Sequence, residues 1–226
     1  YKNTVKEFFW TTSLTGSDDR HNLITGRRYV DGMFYLSSEK HPHSARSYTL
    51  HSILSKGVYD WQLKTSLEWF LNRNEGKQLN DGVVQDYRYD YLRAEPKLVW
   101  TPSRRFEAEY KATIGCGASK IGEETRLDPL WNVSQRLTLV FGFHDTELCL
   151  SGEHFYNDLS DTQHLNTWLA DASLVHKVGK WRLTAFVSNL FNKKQYSYTL
   201  YSAVQSYTSW VKLRPREFGV SVHYQW

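Results

Sequence analysis

Residues 60–73 read Asp-Trp-Gln-Leu-Lys-Thr-Ser-Leu-Glu-Trp-Phe-Leu-Asn-Arg and alternate between apolar and polar side chains. One side of an extended chain would carry Trp61, Leu63, Thr65, Leu67, Trp69 and Leu71, and the other would carry Gln62, Lys64, Ser66, Glu68 and Asn72. Because successive side chains of a β-strand point to opposite faces, the pattern predicts a strand with one apolar and one polar face. We expect such a strand to have lipid on one side and water on the other.

The same period of two recurs along the chain and predicts an all-β protein. In residues 106–116 an apolar series that begins at Phe106 alternates with Glu107, Glu109, Lys111 and Thr113. Further apolar series comprise Trp131, Val133, Leu137, Leu139 and Phe141; Leu148 and Leu150; Trp168, Ala170, Ala172 and Leu174; and Trp181, Leu183, Ala185 and Val187. Residues 8–14, 30–36, 48–54 and 92–100 fit the pattern less cleanly. We expect about eleven antiparallel strands that form part of a transmembrane β-barrel.

The composition supports this fold class. Aromatic residues make up 15% of the 226 residues, yet the mean hydropathy is −0.59 and no apolar run reaches the ~20 residues of a membrane helix. A membrane barrel has this composition because its strands alternate lipid-facing and lumen-facing residues. The net charge of +4 is spread among both signs, which gives no support to nucleic-acid binding. Cys116 and Cys149 are expected to lie on non-adjacent strands near opposite rims, too far apart for a disulfide.

The predicted connections alternate between short and long. Short turns are expected at residues 55–59, 101–105, 144–146 and 177–180, and longer loops at 39–46, 74–83, 119–129, 157–163 and 192–209. In a bacterial barrel the short turns are periplasmic and the long loops extracellular. The connection 16–22 is an exception, since it is expected to be periplasmic and yet is long.

Tryptophans are predicted to form two interfacial girdles. Trp61, Trp100, Trp131 and Trp181 are expected near the short turns, and Trp69 and Trp168 near the long loops. A soluble β-sandwich also alternates and remains open as an alternative.

The last strand carries an apolar series that ends on an aromatic residue: Phe218, Val220, Val222, Tyr224 and Trp226. It resembles the C-terminal strand by which outer-membrane proteins are recognised for insertion, and an edge strand with an apolar face suits capture by strand addition.

Two motifs near the C-terminus resemble those of TonB-dependent receptors, including the Bacteroidetes members of that family. The first is Asn189, Leu190, Phe191 and Asn192, before the final outer loop; the second is Leu213, Arg214, Pro215 and Arg216, before the last strand. The resemblance is specific over roughly the last 60 residues and elsewhere rests on the strand pattern.

The resemblance implies active import of a nutrient such as a siderophore, a glycan or a peptide across the outer membrane of a Gram-negative bacterium. Residues 1–226 would be the C-terminal half of a barrel of about 22 strands, without its plug domain. We expect these strands to be completed by the same chain or another, and Tyr1 not to be the natural start. The partners implied are outer-membrane lipid and lipopolysaccharide, the plug domain, TonB through the plug, the barrel-assembly machinery and a surface lipoprotein. A self-contained small barrel acting as a pore, adhesin or hydrolase is the alternative.

Tyrosines on the outer extensions are candidate ligand contacts, since tyrosine offers apolar area with a polar tip. They are Tyr87, Tyr89, Tyr91, Tyr196, Tyr198, Tyr201 and Tyr207. The charged residues of the polar face alternate in sign and are expected to pair with one another and with the plug; they are Lys64, Glu68, Arg93, Glu95, Lys97, Glu107, Glu109, Lys111 and Arg136.

The sequence predicts no catalytic, metal or cofactor site. His41 and His43, near His51, are interpreted as residues of a solvated loop, because carboxylates in a convincing spacing are missing beside them. A protease-like site would need Asp86 and Asp90 beside His144 or His154, which the sequence alone does not bring together.

Overall fold

The chain folds almost entirely into β-strands. The structure, a computed structural model, describes residues 2–3, 7–31, 33–122, 125–126, 129–159, 163–201 and 206–225. The strands are β1 Lys2–Asn3, β2 Phe8–Val30, β3 Met33–Val58, β4 Leu63–Asn80, β5 Val83–Ser103, β6 Phe106–Ile121, β7 Thr125–Arg126, β8 Leu130–Phe143, β9 Thr146–Asp158, β10 His164–Val178, β11 Trp181–Ser188, β12 Gln195–Tyr201, β13 Ser206–Lys212 and β14 Glu217–Tyr224. A single 3-10 turn, Tyr59–Trp61, separates β3 from β4. The predicted all-β class is confirmed.

Eleven strands form one sheet in the order β1-β2-β3-β4-β5-β6-β8-β9-β10-β11-β14, and each pairs antiparallel with its neighbour. The short strand β7 pairs with β6, and β12 and β13 form a separate hairpin. Within the described ranges no strand pairing joins β14 to β1 or β2. The sheet therefore has a free edge along β14 and another along most of β2.

The register brings the apolar series of neighbouring strands onto one side of the sheet, which we call the apolar face. A single row of directly paired residues crosses nine strands and is apolar throughout: Val58, Leu63, Trp100, Ala108, Leu139, Leu150, Ala172, Val187 and Phe218. The adjacent row lies on the opposite side, the polar face, and includes Lys64, Glu109, Thr138, Ser151 and Asp171. Since register and alternation agree, the face assignment made from the sequence holds for β4 through β14.

The sheet has almost no buried core. Among the described residues only three hydrophobic side chains are buried: Ile24, Leu79 and Ala112. On the apolar face Trp61 is 68% exposed, Leu137 45% and Val222 57%. A β-sandwich would pack such residues against a second sheet, and the described chain provides no second sheet over this face. The described residues therefore do not form a β-sandwich.

The short turns lie at one end of the sheet. Three of them fall within the predicted ranges, whereas the first lies at 59–62 and not at 55–59, because residues 55–58 belong to β3. They follow β3, β5, β8 and β10, and the residues between the paired strand ends are 59–62, 104–105, 144–145 and 179–180. Gln62, His144 and Gly179 have positive φ values of 49°, 52° and 58°, a conformation that tight turns between antiparallel strands require. We call this end of the sheet the short-turn end.

The opposite end, which we call the long-connection end, differs from the prediction in its first two hairpins. Residues 39–46 are not a loop but part of β3, and residues 74–80 belong to β4. The connections there are two residues long, at 31–32 and 81–82, and Asp81 and Gly82 both have positive φ. Residues 16–22, predicted to be a periplasmic connection, lie inside β2, and residues 30–36 are not one strand but cross the first turn. Asp-Gly is a strong sequence signal for such a two-residue turn, and it occurs at both places.

Three of the four tryptophans predicted near the short turns lie there, and the fourth does not. Trp131, predicted near the short turns, lies at the long-connection end, where it pairs with Cys116. Trp61, Trp100 and Trp181 do lie near the short turns. Cys116 and Cys149 are both free; they lie on β6 and β9 with β8 between them, and on opposite faces of the sheet, as the register shows.

Candidate functional site

A cluster of aromatic side chains occupies the polar face near the long-connection end. It consists of Tyr89 and Tyr91 of β5 and Phe70 of β4. The rings of Tyr89 and Tyr91 are stacked with centroids 6.1 Å apart, and the ring of Phe70 lies 5.7 Å from that of Tyr91. The guanidinium carbon of Arg93 lies 5.8 Å from the centroid of the Phe70 ring. We call these four residues the aromatic cluster.

The cluster arises from alternation on β5 and from glycines beside it. Tyr87, Tyr89 and Tyr91 are separated by two residues each, so they share one face. A Cβ atom built on Gly117 would lie 2.9 Å from the hydroxyl oxygen of Tyr89, and one built on Gly115 would lie 2.9 Å from that of Tyr91. The rings therefore lie across neighbouring backbone that only glycine leaves clear.

Tyr87 also lies against a glycine, but on the other neighbouring strand, β4. It pairs directly with Gly76 of β4, and a Cβ there would meet the Tyr87 ring at 3.1 Å. Of the seven tyrosines predicted to contact a ligand, the structure thus brings Tyr87, Tyr89 and Tyr91 together on one strand. Phe70 and Arg93 complete the group. Arg93 shares the face of Tyr91 by alternation along β5, whereas Phe70 pairs directly with Arg93 through the strand register, which the sequence does not give.

Two polar groups of the aromatic cluster are the Tyr89 hydroxyl and the Arg93 guanidinium. Burial raises the pKa of Tyr89 to about 12, with smaller contributions from Tyr91 and Cys116, so its hydroxyl stays protonated at neutral pH. Arg93 contacts the carboxylate of Glu95. Aromatic rings with a neutral hydroxyl and a guanidinium can stack on planar or sugar-like ligands and donate hydrogen bonds to them.

The remaining predicted tyrosines lie elsewhere. Tyr196 of β12 contacts Phe155 on the polar face of β9, with ring centroids 4.7 Å apart, and Tyr207 of β13 is exposed. Because β6 and β8 lie between β5 and β9, these residues are not part of the aromatic cluster. The side chains of Tyr198 and Tyr201, and all of Trp226, lie outside the described residues. The structure therefore divides the five tyrosines whose side chains it describes into two groups.

The two C-terminal motifs meet at the base of the β12–β13 hairpin. The side-chain amide of Asn189 donates hydrogen bonds to the backbone carbonyls of Lys193 and Arg214, each at 2.8 Å. The side-chain oxygen of Asn192 accepts a hydrogen bond from the backbone N–H of Arg216 at 3.1 Å. Both asparagines have positive φ, near 53° and 52°, which asparagine tolerates better than most residues. The asparagines of the first motif thus hold both ends of the hairpin together.

Charged residues of the polar face pair with one another, as the sequence predicts for several of them. The carboxylate of Glu109 lies 2.6 Å from the Lys111 ammonium and 3.6 Å from that of Lys97. Other pairs join Arg136 to Glu153 at 3.3 Å and His51 to Glu68 at 2.8 Å. All of these pairs except Glu109–Lys111, which lies within β6, cross between neighbouring strands, and together they leave little net charge to attract an ionic ligand.

On the apolar face, a chain of hydrogen bonds that the sequence does not predict crosses four strands. The Tyr110 hydroxyl donates to Gln135 at 2.9 Å, the Gln135 amide donates to Nδ1 of His154 at 2.8 Å, and Nε2 of His154 donates to Asn166 at 2.9 Å. The ring of Trp168 stacks on His154 with centroids 4.2 Å apart. Each polar group is satisfied by its neighbour, which makes its presence on an apolar face tolerable.

The arrangement needed for a protease-like site is not found. Asp90 forms hydrogen bonds with the guanidinium groups of Arg73 and Arg88 at 2.6 and 2.8 Å, toward the long-connection end. His144 lies in a short turn at the opposite end, and His154 lies on β9, with β6 and β8 between it and β5. No group of three or more His, Cys, Asp or Glu side chains in the described part of the chain is arranged to hold a metal ion.

Comparisons with protein-family models, with curated proteins and with solved structures find no match to this chain. Over the residues that the structure describes, no helix is long and apolar enough to span a membrane.

Proposed function

We propose that this chain forms part of the wall of an outer-membrane β-barrel and that the barrel is a TonB-dependent nutrient transporter. The observation that carries the proposal is the exposed apolar face, continuous across β3 to β14 and backed by a polar face. A soluble protein rarely exposes so large an apolar surface. Hydrocarbon on this face would remove it from water.

The height of the apolar face fits a bilayer. On β10 the apolar face runs from Trp168, near the long-connection end, to Val178, which pairs with Trp181. Ten residues at ~3.3 Å each, tilted by ~40°, span ~25 Å, the height of the apolar band of an outer-membrane barrel. The aromatic rings at both ends of this span would lie at the two interfaces.

The free edges support a larger barrel. A strand edge that meets hydrocarbon without a partner strand would be prohibitively costly, because its backbone N–H and C=O groups would lack hydrogen bonds. Further strands, from the same polypeptide or from another, would satisfy them. A barrel of about 22 strands, the size of outer-membrane transporters, would take about half of its wall from this chain.

The polar face would line the lumen and face the plug domain. Its paired charges would give the plug a wet, nearly neutral surface, and the aromatic cluster near the long-connection end would contact the incoming nutrient. Tyr196 and Tyr207 on the hairpin would offer a second contact surface. Lipid and lipopolysaccharide would contact the apolar face, and TonB would act through the plug.

The terminal motifs support the choice of family. Asn189–Asn192 and residues 213–216 resemble those of TonB-dependent receptors, and here they form one hydrogen-bonded junction. Phe218, Val220, Val222 and Tyr224 of β14 would present the apolar edge on which the assembly machinery acts.

The proposal is tested in two steps. Detergent-extracted material from the native cell envelope should migrate faster unheated than boiled, since folded membrane barrels resist detergent and soluble sheets do not. Recovery of the protein in the aqueous fraction would refute the membrane assignment. Reading the coding sequence upstream of Tyr1 then distinguishes the classes of barrel: a plug-like domain supports the transporter, and its absence favours a small pore, adhesin or hydrolase.

A further inference from the structure

Three histidines lie close together on the β2–β3 hairpin, toward the long-connection end of the sheet. His21 of β2 pairs directly with His43 of β3, and their rings are stacked with centroids 5.3 Å apart. The ring of His41 lies 6.2 Å from that of His43. Although 22 residues separate His21 from His43 in the sequence, directly opposed residues of antiparallel strands have Cβ atoms only ~4.5–5.5 Å apart. The hairpin therefore holds two imidazoles side by side.

A hydrogen bond determines the tautomer of the neutral His43 ring. Its Nδ1 lies 2.9 Å from the backbone carbonyl oxygen of His41. A carbonyl oxygen only accepts, so Nδ1 carries the hydrogen, and Nε2 of the neutral ring has a free lone pair. Histidines that bind metal ions usually donate their second ring N–H to a carbonyl or carboxylate in this way, which orients the ring and raises the basicity of the ligating nitrogen.

A bulge in β3 produces this hydrogen bond. The register shifts between His21 and Leu23, so that His41 and Pro42 together lie opposite Asn22. Proline has no N–H for the strand ladder, which makes a bulge a favourable place for it. Bulges redirect side chains and free backbone groups from pairing, and here the freed carbonyl of His41 receives the His43 ring.

We propose that His21 and His43, as a pair of cross-strand ligands, bind a divalent first-row transition metal ion. Imidazole nitrogen suits Zn²⁺, Cu²⁺ and Ni²⁺. The two rings are nearly parallel, with centroids 5.3 Å apart and 30° between their planes, so their in-plane lone pairs do not yet converge. Binding one ion with metal–nitrogen bonds of ~2.0–2.1 Å therefore requires a rotation of the exposed His21 side chain.

The site goes beyond the proposed function. It requires the β2–β3 hairpin alone and neither a closed barrel nor transport. If the chain does lie in the outer membrane, the site stands on the same end as the aromatic cluster, where it would capture a metal ion or a metal chelate from solution.

The test uses the full chain, purified without a histidine tag and freed of metal by a chelator. Calorimetric titration with Zn²⁺ measures affinity, and paramagnetic resonance with Cu²⁺ counts nitrogen ligands. His21→Ala and His43→Ala should each weaken binding by about tenfold or more, and the Cu²⁺ spectrum should lose a nitrogen. His51→Ala is the matched control, because His51 is another histidine of β3 but is held by Glu68 at 2.8 Å, and it should bind as the wild type does.

Two outcomes would overturn the proposal: wild-type protein that binds no tighter than the His21→Ala, His43→Ala double variant, or single variants that bind as tightly as wild type. His43→Asn, which preserves polarity on the hairpin, guards against loss of folding as the cause and should weaken binding to the same degree. Heat-modifiable migration of every variant, followed in parallel, separates failure of the metal site from failure of the membrane assignment.

Discussion

The side-chain amide of Asn189 donates a 2.8 Å hydrogen bond to the carbonyl of Arg214, 25 residues further along the chain. Between these residues the chain leaves the sheet after β11, forms the β12–β13 hairpin and returns to begin β14. The same amide also donates to the carbonyl of Lys193, and its oxygen accepts from the Lys193 N–H at 2.9 Å. One side chain thus determines how the hairpin is attached to the last two strands.

Removing this side chain should loosen the hairpin. In Asn189→Ala three hydrogen bonds are lost, at a cost of about 1–3 kcal/mol for partly exposed groups. Cleavage by trypsin after Lys193 and Lys194 under native conditions should become about 5- to 150-fold faster, since local opening precedes cleavage. Asn189→Gly keeps the positive φ of 53° accessible but also lacks the bonds. Wild-type cleavage rates in the glycine variant would show that backbone conformation, and not hydrogen bonding, holds the junction.

The glycines beneath the tyrosine rings should be intolerant of substitution. Gly115→Val and Gly117→Val place a branched side chain where a Cβ atom alone lies 2.9 Å from the hydroxyl oxygens of Tyr91 and Tyr89. Displacing each ring should lower the free energy of unfolding by about 1–3 kcal/mol, measured by urea titration in detergent micelles. Gly152→Val is the control, because a Cβ atom there meets nothing within 4 Å. Equal losses at all three positions would mean that strand geometry, and not ring packing, sets the cost.

Acid should weaken the long-connection end of β4 and β5. Burial raises the pKa of Asp90, but hydrogen bonds and charge from Arg73 and Arg88 outweigh it, so the pKa lies below its ordinary value. The ionised carboxylate therefore stabilises the fold above the ordinary carboxyl pKa of about 4, and this stabilisation is lost as the pH falls through the lower, folded-state pKa. Amide exchange near Arg73 and Asp90, corrected for its intrinsic pH dependence, should accelerate over that range.

Asp90→Asn tests the source of this effect, since it removes the titrating group and retains its size. The variant should show the faster exchange already at neutral pH and no further increase on acidification. An unchanged acid response in the variant would assign the effect to other carboxylates on the same face, such as Glu75, which pairs with Arg88, or Asp86, which lies 3.1 Å from the Lys77 ammonium.

The sequence predicts the sheet well where alternation is regular and poorly where strands extend past it. Period-two series define the faces of β4 to β14, and the register joins them into continuous rows. The first hairpin differs from the prediction because residues 37–47 are almost entirely polar and therefore resemble a loop by composition. The Asp-Gly pair at 81–82 is a better guide to the second hairpin, because positive φ values at two successive residues are a requirement of such a turn.

Contacts between strands could not be derived from one strand alone. His21 and His43 are 22 residues apart, and only the position of the turn and the bulge at Pro42 make them partners. The same holds for Phe70 and Tyr91, which lie on opposite strands of the second hairpin. A shift of one residue in either register would move each side chain to the other face. Alternation therefore predicts faces, whereas the partners within a site depend on turns.

The last strand offers the most direct test of which face meets lipid. Val220 lies on the apolar face, paired with Ala185, whereas its neighbour Ser221 lies on the polar face, paired with Thr184. Val220→Glu introduces a charge into hydrocarbon and should destabilise the inserted state. A basic residue at the bilayer midplane costs about 2–4 kcal/mol, and an acidic residue costs less, so this range is the upper bound for the variant. Ser221→Glu places the same charge one residue away, toward the predicted lumen, and should have little effect. Both variants are compared by the fraction that becomes heat-modifiable when folded into lipid vesicles together with the complete barrel. Equal assembly of the two variants, or a greater defect in Ser221→Glu, would mean that the apolar face does not meet lipid.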